Sequence, residues 1–429
     1  MNITKGNVVK IMTESVLKNK DYRLLFFGQL VSNLGTQIYN FAIALYILNV
    51  TDGNATLAGI YMATGGLVFF ILTPFAGAIV DRLDKVKIVY LMDFVSGITV
   101  LTGGFFIMSG ISNQIIIILL FVMTVILAIS GSLFNPAISS LPPHILQENQ
   151  LQQASSLSQG MMSLYGILGA FLGGLIYAFF SIEFIFIFNG LTFIASGISE
   201  MFIKVKTSTD SDYKITFRGT LKDVKEGIIY VYNLKPIFWL VALASILNFA
   251  TIPLIANGLP YLFEVQLQRE AYFLAILTST FPLGVTVTSV VLGISAQKEK
   301  VSPMIFKGLW GMSLAMVVCI AVTHFMVNGN VTFLVFMIVS GIFFFIAGIF
   351  NGYINIPFNV AIMKTVDKDK LGRVSSTLSI ISMGFSPIAI ALGGFIIDSL
   401  GVLILFYAAG IAMVFISMLA QRNKYVKQL

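Results

Sequence analysis

The sequence predicts an all-α integral membrane protein, with twelve transmembrane helices arranged as two six-helix repeats. Three observations carry this. Of 429 residues, 57% are hydrophobic and only 10% charged, against about 25% charged in soluble domains. Apolar runs long enough to cross a bilayer, about 20 residues at 1.5 Å rise each, recur along the whole chain. The basic residues are sorted between alternate connecting segments rather than spread over a surface.

The expected spans are 24–48, 55–80, 88–108, 115–141, 151–180, 182–203, 236–263, 272–296, 304–327, 331–356, 374–398 and 402–419. With the N-terminus inside, the tails and the inner segments hold 25 of the 26 Lys and Arg residues. Only Arg269 falls outside, whereas Asp52, Glu183, Glu264, Glu270 and Asp398 sit on the outer side. This positive-inside pattern places both termini in the cytoplasm. It also accounts for the net charge of +7, so no nucleic-acid partner is expected; the partner surface is the lipid bilayer. No removable signal peptide is expected either.

One sizeable polar segment, 204–235, divides the chain into an N-terminal bundle (1–203) and a C-terminal bundle (236–429). The halves correspond at an offset of 215 to 221 residues: Asn33 with Asn248, Gly77 with Gly293, Pro136 with Pro357, and Gly173-Gly174 with Gly393-Gly394. Two parallel repeats joined by a cytoplasmic linker are the organisation of a transporter whose halves rock about a central site.

Polar residues inside the spans mark where a solute could bind. Gln29, Asn33, Gln37 and Asn40 recur every three or four residues on one face of span 1. A stripe of amides against lipid would be costly, so it faces a neighbouring helix or a cavity. Asn135 in span 4, Asn248 in span 7, and Asn351 and Asn355 in span 10 extend the candidate cavity wall. Asp93 lies about two turns into span 3 and is a candidate coupling group, or a structural partner of Arg82 or Lys85. Glu200 and Lys307 sit near inner span ends. In span 5, Gly160, Gly169, Gly173 and Gly174 supply small residues for close helix packing.

Other chemistries lack their residues. The chain has no G-x-x-x-x-G-K-[ST] loop for ATP, and its two histidines, His144 and His324, fall on opposite sides of the membrane. No nucleophile, base and orienting residue converge. With one cysteine, Cys319, no intrachain disulfide is possible. We expect no enzyme activity, no cofactor and no metal.

Between spans 2 and 3 the chain reads Gly77-Ala78-Ile79-Val80-Asp81-Arg82-Leu83-Asp84-Lys85. This resembles the G-x-L-a-D-r-x-G-r hinge motif of the major facilitator superfamily. Asp84 stands at the motif's second glycine, which is similar to the macrolide-efflux branch of drug:proton antiporters. Asp21-Tyr22-Arg23, Ser32-Asn33-Leu34-Gly35, Phe134-Asn135-Pro136-Ala137 and Gly372-Arg373-Val374 fit that branch as well. Span 5 resembles the antiporter motif G-x8-G-P-x-x-G-G, with Ala170 in place of its proline. The span 4 arginine of many drug:proton antiporters is absent.

The resemblance implies a major facilitator fold in a bacterial plasma membrane, and we expect a monomer. It implies secondary active transport by alternating access, with proton-coupled efflux of amphipathic or lipophilic small molecules. A metabolite, siderophore or lipid importer or facilitator of the same fold is the alternative. It also implies a hinge of Gly77, Asp81, Arg82 and Lys85, in which Asp81 faces the start of span 11 near Gly372–Ser375 and biases one access state.

Overall fold

The computed structural model describes residues 15–80, 82–205, 228–294, 301–366, 374, 377–378 and 381–428. Asp81, most of the linker and the start of span 11 around Gly372–Arg373 therefore lie outside the described residues. The long helices are α1 (Lys20–Val50), α2 (Ala55–Val80), α3 (Lys85–Met108), α4 (Asn113–Ser140), α5 (Leu151–Phe179), α6 (Ile182–Met201), α7 (Lys235–Pro253), α8 (Ala271–Ile294), α9 (Ser302–Val327), α10 (Phe333–Thr365), α11 (Ser386–Leu400) and α12 (Val402–Arg422).

Among the described residues, eleven stretches are long and apolar enough to cross a membrane, and α1 is not one of them. At 31 residues α1 has the length. Its hydropathy is lowered by the four amides Gln29, Asn33, Gln37 and Asn40. It completes the twelve.

Helix starts follow local chemistry. Asn19 Oδ1 accepts from the backbone N–H groups of Asp21 and Tyr22, starting α1 four residues before the apolar run. Asp84 does the same for α3, accepting from Val86 and Lys87 N–H. Such caps satisfy donors that a helix start leaves unpaired. The residue that departs from the hinge motif therefore has a local task.

One interruption was not expected. Beyond Pro253, α7 continues as a π turn (Leu254–Gly258), a short α segment (Leu259–Tyr261) and a second π turn (Leu262–Gln266). Proline lacks the N–H that would continue the ordinary ladder, and wider turns of this kind recur at functional sites. Here the wide turn brings Asn257 against α11, where its side-chain N–H donates to the Ile390 carbonyl.

Helices α1–α6 and α7–α12 form two sets. They meet where α2 lies on α11, where α5 lies on α8, and where α1 touches the short α segment and the second π turn of α7. Close backbone approach makes these seams. A Cβ at Gly394 would collide with the Ala55 carbonyl, one at Gly174 with the Ala275 side chain, and one at Gly59 would come within 2.9 Å of the Ile390 carbonyl. Small residues at such crossings let helices pack by dispersion where lipid removes the usual hydrophobic drive. The Asp398 carboxylate, at the end of α11, accepts from Ala55 N–H (3.1 Å) and Thr56 N–H (2.7 Å) at the start of α2.

The apolar cores reveal which end is joined. Near the α2 start and the α11 end, one core mixes Leu45 and Ala55 with Leu254, Phe263 and Phe406, and a second joins Tyr39 and Phe186 to Tyr261 and Val265. At the opposite end, where α6 stops and α7 starts, the described residues form two separate cores. One contains only residues up to Val205, the other only residues from Tyr230 onward. The two sets are thus packed together at the far end and have separate cores at the linker end.

Candidate transport cavity

A cavity of about 500 Å³ opens inside the α1–α6 set. From α1 it takes Ser32, Asn33, Thr36 and Asn40; from α2, Tyr61, Met62, Gly65 and Phe69. Helix α4 supplies Thr124, Gly131, Phe134 and Asn135, helix α3 supplies Asp93 and Ser96, and helix α6 supplies Asn189 and Phe193. Aromatic faces and a few placed polar groups are what small-molecule pockets offer. The Tyr39 hydroxyl, also in this wall, is buried with no hydrogen-bond partner among the described residues.

The amide candidates divide. Asn33, Asn40 and Asn135 line the cavity. Gln29 and Gln37 do not. The Gln29 backbone carbonyl accepts from the Tyr165 hydroxyl (3.3 Å) and from Asn33 Nδ2 (2.9 Å). The stem of Gln37 lies against Gly169 of α5, where a Cβ would collide with it. Asn248 donates to the Ser382 carbonyl (3.1 Å), and Asn355 donates to Asn351 Oδ1 on its own helix (2.9 Å). Neither Asn248, Asn351 nor Asn355 touches this cavity. Sequence symmetry between the halves suggested a shared wall; the structure puts the cavity in one set and uses the equivalent amide of α7 to hold the segment leading into α11.

The span 5 glycines also divide. Gly169, Gly173 and Gly174 face Gln37, Phe41 and Ala275 closely, whereas a Cβ at Gly160 meets nothing within 4 Å. At the hinge, Gly77 lies in the last turns of α2 with open space where a Cβ would be. Arg82 is in the exposed turn that follows, and Lys85 opens α3, buried.

Asp93 is 2% exposed and Glu200 is fully buried. Asp93 does not turn toward Arg82 or Lys85. It faces Ser196 and Glu200 on α6, packed over Gly197. Ser196 Oγ donates to Glu200 Oε1 at 3.4 Å. Gly28 of α1 closes the other side, with room for little beyond hydrogen: a Cβ there would sit 3.0 Å from Ser196 Oγ and 3.5 Å from Glu200 Oε1. Glu200 stands out in the sequence as a charge near a span end, but its partner does not. The available signal was the polar period on span 6: Asn189, Thr192, Ser196 and Glu200 repeat every three or four residues and face Gly28 and Gly35 of α1.

Twelve long helices, most of them apolar, with a cavity walled by amides and aromatics in the first six, are the build of a multi-pass membrane transporter. The chain belongs to the Major Facilitator Superfamily, which residues 25–387 match. It is 23% identical to macrolide efflux protein A of Streptococcus pyogenes over 426 residues, covering 96% of this chain and 99% of that one. It is 29% identical to a putative bacilysin exporter of Bacillus subtilis over 213 residues, about half of either protein. Its fold is similar to a bacterial homologue of the iron transporter ferroportin, crystallised in an inward-facing state. The TM-score is 0.72 at 14% identity, covering 94% of this chain and 98% of that one.

Proposed function

We propose that this protein exports amphipathic or lipophilic small molecules from a bacterial cell, in exchange for protons, by alternating access. The cavity carries the reading. Its 500 Å³ suits a solute of drug size, and its wall pairs Phe69, Phe134 and Phe193 with the amides of Asn33, Asn40 and Asn135. Two relatives whose names state efflux or export support the direction.

In this reading the bundles 1–203 and 236–429 move as bodies, joined by the 204–235 linker, and the protein works as a monomer. The basic loops put the linker end in the cytoplasm. The sealed α2–α11 and α5–α8 seams then belong to the outer gate, and the arrangement is inward-facing. Asp81 at the cytoplasmic hinge stabilises the opposite state by meeting the start of span 11, with Arg82 and Lys85 beside it. A carboxylate at a helix N-terminus contributes about 0.3–1 kcal/mol, enough to bias a two-state equilibrium. Asp93, at the cavity wall, is the coupling group.

The test is compound accumulation in a pump-deficient bacterial host, with dyes, macrolides and other lipophilic drugs as the panel. The expected result is lower accumulation with the wild-type protein than with Asp81→Asn at equal membrane expression, abolished by a protonophore. Accumulation equal to that of the host without the protein, for every compound, sinks the drug-efflux reading. Normal efflux by Asp81→Asn sinks the hinge role alone.

A further inference from the structure

We propose that Asp93 and Glu200 form one proton-binding site, in which a single proton is held between the two carboxyl groups and exchanged with the cavity through Asp93. The inference rests on the transport reading above and deepens it by adding Glu200 and by specifying what the site holds.

The two carboxyl groups lack donors. Asp93 Oδ2 and Glu200 Oε2 are both buried and have no hydrogen-bond donor among the described residues. An ionised carboxylate only accepts hydrogen bonds, whereas a protonated one donates. Two ionised carboxylates facing each other would leave both oxygens unsatisfied and two like charges side by side in a medium that screens poorly. One proton removes both difficulties: it cancels one charge and supplies the donor that the other carboxyl lacks.

Among the described residues, the surroundings give no substitute for that proton. From α6 come Ser196, whose hydroxyl already points to Glu200 Oε1, and Gly197. From α1 come Gly28 and Ser32, and the α4 residues of the cavity wall, Phe134 and Asn135 among them, are neutral. On α3 itself, Lys85 and Lys87 lie six to eight residues nearer the linker end, about 9–12 Å along the axis. Tyr90 and Phe94 of α3 pack beside Gly197. The two carboxyl groups are also not equivalent. Asp93 reaches the cavity wall and Glu200 lies behind it. Proton exchange therefore runs through Asp93, while Glu200 holds the proton away from solvent. Such a pair titrates as a unit.

The measurement is infrared spectroscopy of the purified full-length protein in detergent, titrated in H2O and in D2O. Wild type is expected to show a protonated-carboxyl band that shifts in D2O and disappears as the pH is raised. The near-isosteric variants Asp93→Asn and Glu200→Gln are each expected to lose that titrating band. Labelling of wild type with a hydrophobic carbodiimide, located by mass spectrometry, covers the case in which a variant does not fold: the adduct should fall on Asp93 or Glu200 and be lost at alkaline pH. Absence of both band and adduct in folded wild type overturns the site. So does an unchanged band in both folded variants. Displacement of the band by NaCl, but not by choline chloride, at fixed pH would overturn it too, because the site would then hold a metal cation. None of these readouts requires a substrate. A titrating pair in a protein that exports nothing leaves the site standing and removes the export reading, while proton-driven efflux without the band does the reverse.

Discussion

Asn248 and Asn135 are both amides inside membrane helices, and their side chains do opposite work. Asn248 spends its N–H on the Ser382 carbonyl, so Asn248→Ala strands a backbone acceptor. The expected cost is about 1–3 kcal/mol of stability, seen as a lower Tm in detergent with the apparent KM for an exported dye unchanged. Asn135 lies on the cavity wall. Asn135→Ala should leave Tm nearly unchanged and shift the concentration dependence of efflux; an unchanged KM would remove Asn135 from the substrate path. Sequence could mark both as costly in hydrocarbon but could not separate them, because the carbonyl that absorbs Asn248 belongs to a residue 134 positions later. Asp93 was legible for the same reason of cost. Its partnership with Glu200 required knowing that α3 and α6 pack together.

At the scale of helices, length and apolarity sufficed to place nearly every span, since lipid enforces both. The π turns of α7 escaped notice because their apolar composition matches an ordinary helix, and only Pro253, Gly258 and Pro260 hint at a break. The contact between α2 and α11 was also invisible: Asp398 reads as an outer charge, whereas it caps the first turn of α2 from the other set. Asp398→Ala removes two hydrogen bonds and the favourable charge at a helix N-terminus. A loss of about 1–2 kcal/mol would change the balance of the two access states by roughly 5- to 30-fold. The check is a single cysteine, Met62→Cys, in a Cys319→Ser background. Its reaction with an impermeant thiol reagent added outside the cell should accelerate when Asp398→Ala is also present. An unchanged rate would mean that the glycine contacts at Gly59 and Gly394 hold the seam without the carboxylate.

For the whole molecule, the unequal cores are the main clue to motion. The two helix sets share apolar cores at one end and have separate cores at the other, as expected of bodies that pivot and exchange which end is sealed. The repeat was legible from matched residues at an offset of 215 to 221, but which end is sealed was not, because either arrangement buries the same helices against lipid. Tethering the far end tests the motion directly. Cysteines replacing Ala55 and Asp398, in the Cys319→Ser background, would be joined by a thiol cross-linker cleavable by reductant. The reference protein carries the same two cysteines without the cross-linker, which isolates the tether from the loss of the carboxylate. If the sets rock, the tethered protein still binds a substrate dye offered from the cytoplasmic side but no longer exports it, and reductant restores export. If efflux continues at the untethered rate with the cross-link complete, the far seam does not open during turnover. The path would then have to leave the α1–α6 cavity sideways, between its own helices, and rocking of the two bundles would be abandoned for this protein.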